Sequence, residues 1–79
     1  PYLLRARDLA RLEGRMWNEQ DLLFQLGVLA FETGRNDDAR RFMTERLRLV
    51  TLHKRKDLID DATEDLRILV SKIKLGRNR

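Results

Sequence analysis

The chain has 79 residues, 38% of them charged, with a net charge of +4 and no cysteine. A chain of this length makes one domain at most and buries only about 60% of the surface its unfolded form exposes, so its core is marginal. The composition excludes a disulfide framework and a thiolate metal site, and no apolar run approaches the roughly 20 residues that span a bilayer.

Few residues are β-branched and no stretch alternates apolar with polar, so the chain reads as all-α. Its start, PYLLRARDLARLEG, lacks the charged, apolar, small order of a signal peptide. Pro1 is compatible with a fragment of a longer chain or with removal of an initiator methionine. A first helix is predicted over Tyr2 to Glu13, with Gly14 at the position past its end. Asn18 then caps a second helix, with Trp17 and Leu22 as a hydrophobic staple, and Gly34 closes it after Thr33. Asn36 caps the next helix, whose positive end Asp37 and Asp38 complement.

Between Asp37 and Leu75 there is neither glycine nor proline. The apolar stripe is nevertheless discontinuous. Ala39, Met43, Leu47 and Val50 form one series, and Ile59, Ala62, Leu66, Leu69 and Ile73 form another. Val50 to Ile59 is about 900° of helical rotation, which leaves the two series half a turn out of phase. Either the chain breaks near HKRKD, with Asp57 as a new N-cap, or one continuous helix packs partners on opposite faces; the break is the favoured reading. The expected architecture is a single small domain over residues 1–79, built from three or four antiparallel helices.

One segment has a more specific spacing. Leu26 and Gly27 form a Leu-Gly pair preceded by Leu23, and Ala39 follows Gly27 by twelve residues. Met43, beside Phe42, occupies an aromatic place. Over residues 20–51 this resembles one degenerate unit of the tetratricopeptide repeat, a helix–turn–helix of about 34 residues. Ala30 departs from the repeat's tyrosine, Arg46 from a usually small residue, and Thr51 from its terminal proline. The resemblance implies a helical hairpin in which Gly27 and Ala39 allow close approach. It also implies that the unit's first helix lines a concave partner-binding face, which places Asp21, Phe24, Val28 and Phe31 there. Three of these are apolar, so the face suits an apolar helix or peptide.

Catalytic constellations are missing. His53 is the sole histidine and lies among cationic neighbours in LHKRK. Asp57, Asp60, Asp61, Glu64 and Asp65 suit the start of a helix, and they lack the spacing and central glycine of a calcium loop. No metal, cofactor or small-molecule substrate is implied, and the chain reads as non-catalytic. The last stripe, Ile59, Leu66, Leu69 and Ile73, is an a/d seam, and Leu58, Ile68, Val70 and Leu75 add apolar surface beyond it. That excess points to a protein partner or self-association, as an adaptor or a small subunit of an assembly.

The alternative is nucleic-acid backbone binding. Arg41, Arg48 and Arg55 recur every seven residues, Arg40, Lys54 and Lys56 flank them, and Lys72, Lys74, Arg77 and Arg79 form a basic tail. A helix-turn-helix with its turn at Gly34 fails, because Arg40 would occupy a buried position. The expected location is the cytoplasm or another reducing intracellular compartment.

Overall fold

The computed structural model describes the backbone of residues 2–77 and the side-chain surroundings of residues 14–76. Three helices account for it, with no strand among the described residues: α1 (Tyr2–Glu32), α2 (Asn36–Leu52) and α3 (Lys56–Arg77). The predicted end at Gly14 and restart at Asn18 do not occur, because α1 is continuous through both. A glycine inside an exposed helix costs only about 1 kcal/mol relative to alanine. Met16 and Gln20 are buried at 2% and 4% exposure, so the inward face continues across the glycine. Trp17 and Leu22 are consequently mid-helix residues, exposed at 49% and 54%, and form no staple.

Both turns follow one hydrogen-bond plan. After α1, the Gly34 N–H donates to the Phe31 carbonyl at 3.1 Å and the Arg35 N–H to the Ala30 carbonyl at 2.8 Å. After α2, Lys54 donates to Thr51 at 3.0 Å and Arg55 to Val50 at 3.1 Å. This is the Schellman arrangement, which satisfies otherwise orphaned carbonyls of the last turn and needs a left-handed residue just past the helix end. Gly34 supplies it at φ +81° and Lys54 at φ +55°. The predicted break in HKRKD is therefore present.

The predicted caps sit one or two residues off. Arg35, not Asn36, occupies the cap position of α2 and makes no side-chain cap bond. Arg55 precedes α3, so Asp57 lies inside its first turn. There the Asp57 carboxylate accepts from the Arg55 guanidinium at 3.4 Å. This bond, followed by one to the Leu58 backbone, holds its pKa below the ordinary carboxylate value of 3.8.

α2 is the shared partner. It folds back along α1, with Arg46 meeting Gln20 and Met43 meeting Gly27. α3 in turn folds back along α2. Among the described residues no Cα of α1 comes within 8 Å of a Cα of α3. The result is an open layer of 59 × 21 × 12 Å. Its core has two clusters: Ala30, Ala39, Met43, Leu69 and Ile73 near the first turn, and Met16, Val50 and Ala62 near the second. A Cβ at Gly27 would stand 3.0 Å from the Met43 Cε, so the glycine opens the space into which that side chain packs.

Candidate docking groove

Because α1 and α3 flank α2 without closing on each other, a trough of about 290 Å³ runs between them. Phe24, Val28 and Phe31 line its α1 wall, Met43 its floor, and Asp65, Ile68 and Lys72 its α3 wall. It continues past Phe31 and Lys72 to Leu75. Phe24, Val28 and Phe31 are half-buried, packed on the core beneath while still facing the trough. Ile68 and Leu75 stand opposite, exposed at 44% and 66%.

Beneath the groove lies a polar layer that the sequence reading missed. Arg46 is 7% exposed and reaches all three helices. Its Nε donates to the Gln20 Oε1 at 3.0 Å, and its Nη1 donates to the Asp65 Oδ2 at 2.7 Å. Its guanidinium carbon stands 4.8 Å from the centroid of the Phe24 ring, within cation–π range. No buried side-chain nitrogen or oxygen among the described residues is left without a partner. The signal was in the spacing. Ala39, Met43, Arg46 and Val50 keep a strict four-three-four step, and all four are buried. The expected Leu47 is only half-buried.

The seam on α3 faces inward. Leu69 and Ile73 are buried, while Leu66 and Ile59 pack half-buried against the first and second clusters. Leu69 also touches the groove. Of the basic residues, Arg41 and Arg48 lie exposed on α2, and Arg41 pairs with Asp38 at 3.4 Å. Arg55 falls in the second turn and pairs with Asp57 at 3.4 Å, off the axis shared by the other two. Lys54 and Lys56 are exposed beside it.

No three histidine, aspartate or glutamate side chains among the described residues are grouped to hold a metal ion. No helix of the described residues is long and apolar enough to cross a membrane. Compared with known proteins, the chain matches no family model, and neither a curated protein nor a solved structure aligns with it significantly.

Proposed function

We propose that this chain is a non-catalytic protein-docking module, an adaptor or small subunit whose receiving surface is the groove between α1 and α3. The observation that carries this reading is the facing pair of apolar walls, Phe24, Val28 and Phe31 opposite Ile68, left partly open over a packed floor. Such a trough suits the apolar face of a helix. The reading extends to an antiparallel hairpin of tetratricopeptide-like packing. Its support is the Gly27–Met43 approach and the fully buried Ala39. The continuous α1 and the buried Arg46 depart from that repeat.

Selection from a displayed library of amphipathic helical peptides tests the docking surface. Selected peptides should lose binding to Val28→Glu and Ile68→Glu variants that keep their helical circular dichroism. Peptides indifferent to both substitutions would place docking elsewhere.

A second reading rests on the exposure of Arg40, Arg41, Arg48, Lys54 and Lys56, which suits contact with a nucleic-acid backbone. It requires affinity that falls steeply with salt and drops when Arg41, Arg48 and Arg55 become alanine.

A further inference from the structure

α1 outreaches its neighbours. Met16 clusters with Val50 and Ala62, and α2 ends two residues beyond Val50, at Leu52. The stretch from Tyr2 to Gly14 is more than a third of a 31-residue helix. At 1.5 Å per residue it is about 20 Å long.

The two helices that flank the groove carry matched spacing; Phe24, Val28 and Phe31 on α1 and Asp65, Ile68 and Lys72 on α3 line the trough itself, and the same spacing carries each face back toward the start of its helix. Trp17, Asp21, Phe24, Val28 and Phe31 follow in steps of four, three, four and three, and so do Asp61, Asp65, Ile68, Lys72 and Leu75 on α3. Two heptad seams facing one trough fit a helix laid lengthwise between them. Charge gives that helix a direction. Asp21, Asp61 and Asp65 lie toward the second-turn end of these faces, and of these three only Asp65 has an ion-pair partner among the described residues, Arg46 below it. Glu32 and Lys72 balance each other at the opposite end.

The chain itself contains a helix of this chemistry. Residues 2–14, YLLRARDLARLEG, place Tyr2, Ala6, Leu9 and Leu12 in steps of four, three and three, with Arg5, Arg7 and Arg11 between them. Resting on the docking reading above, we infer that the occupant of the groove is the first half of α1 from a second copy of this chain, exchanged reciprocally about a two-fold axis. The two-fold that lays Tyr2 beside Phe31 also lays Leu9 beside Phe24. It brings Arg11 and Arg15 within a turn of Asp21 and sets the two Trp17 side chains near the axis. The contact is isologous, so one surface serves both copies and the assembly closes at two. It also covers Trp17, which the single chain leaves half exposed.

Sedimentation of the full chain at micromolar concentration is expected to give twice the chain mass, with Trp17 emission shifting to longer wavelength on dilution. Leu9→Glu and Ile68→Glu should each weaken self-association about tenfold or more. Asp21→Arg changes a partly exposed group, and Arg11→Glu exchanges one charged good helix former for another. Each should weaken its own dimer, whereas mixing the two variants should restore pairing, because every Arg11–Asp21 contact in the mixed dimer again joins opposite charges. A wild-type chain that stays monomeric, while its groove still takes selected peptides, would overturn the second-copy occupant and leave the docking reading standing. A dimer sensitive to Leu9→Glu but indifferent to Ile68→Glu would place the contact outside the groove and overturn it as well. A mixture of the charge variants that fails to pair would do the same.

Discussion

At the first turn a glycine, Gly34, takes the left-handed backbone at φ +81°, and at the second a lysine, Lys54, takes it at φ +55°. The bonds around them are otherwise the same set, offset by twenty residues: Thr33, Gly34 and Arg35 donate as His53, Lys54 and Arg55 do. An L-residue with a Cβ pays about 1–2 kcal/mol in this conformation that glycine does not. The second turn forms regardless. Its position is therefore set by packing: α2 must end where Val50 completes one buried face, and α3 must start where Ile59 and Ala62 begin the next. The glycine at the first turn lowers the cost of a bend that the cores on either side already demand.

The largest expected effect comes from cutting the tie between the two turn-proximal clusters. Arg46→Ala strips Gln20 and Asp65 of their partner in a mostly buried layer. It should lower unfolding free energy by about 2–3 kcal/mol, toward the low end for a broken buried pair because Asp65 keeps some solvent. Chemical denaturation measures this, and a loss below half a unit would mean the layer contributes little. Exchanging the two turn residues sharpens the comparison directly. Gly34→Lys should cost about 1 kcal/mol. Lys54→Gly should gain about 0.5–1 kcal/mol, less than the full strain because the added glycine also frees the unfolded chain. Thermal melts of the two single variants and the double exchange check both signs, and the double exchange should fall near the parent.

The smallest effect belongs to the acid end of the pH range. Asp57, whose pKa is held low by Arg55 and then by the Leu58 backbone, binds its proton more weakly when folded than when unfolded. Its contribution is fully present above the ordinary carboxylate value and is lost as pH falls through the lowered one. Asp57→Asn should therefore flatten the acid limb of the stability profile, and an unchanged limb would show that the Arg55 contact is too exposed to matter.

The same contrast explains what was legible in the sequence. Gly34 announced the first turn, whereas the half-turn phase slip between Val50 and Ile59 favoured a second turn with no marker residue and left one continuous helix as the alternative. Gly14 misled, because a glycine signals a helix end only where the buried face also stops, and Met16 and Gln20 carry that face onward. The caps were misplaced for a related reason: once a Schellman turn fixes the backbone, the residue after the left-handed one serves as cap whatever its side chain. Phe24, Val28 and Phe31 were readable as one helix face. The opposing wall, Ile68 and Lys72, was not, since choosing it requires knowing that α3 lies across α2 from α1. Arg46 was passed over for Leu47 because an arginine in a stripe looks like a solvent-facing neighbour until its two partners are seen.

That α2, among the described residues, is the helix packed against both others has a consequence for how the chain folds. Each turn joins sequence neighbours, so an α1–α2 hairpin and an α2–α3 hairpin can each form from local pairings alone, the kind that close quickly. Folding can begin at either end and finish on a common central helix. The Gln20–Arg46–Asp65 layer draws on all three helices, so it completes only when the second hairpin docks. That late step makes the arginine a checkpoint: a helix that arrives with Ile68 or Leu69 at the place of Asp65 offers Arg46 an apolar side chain where a carboxylate should be.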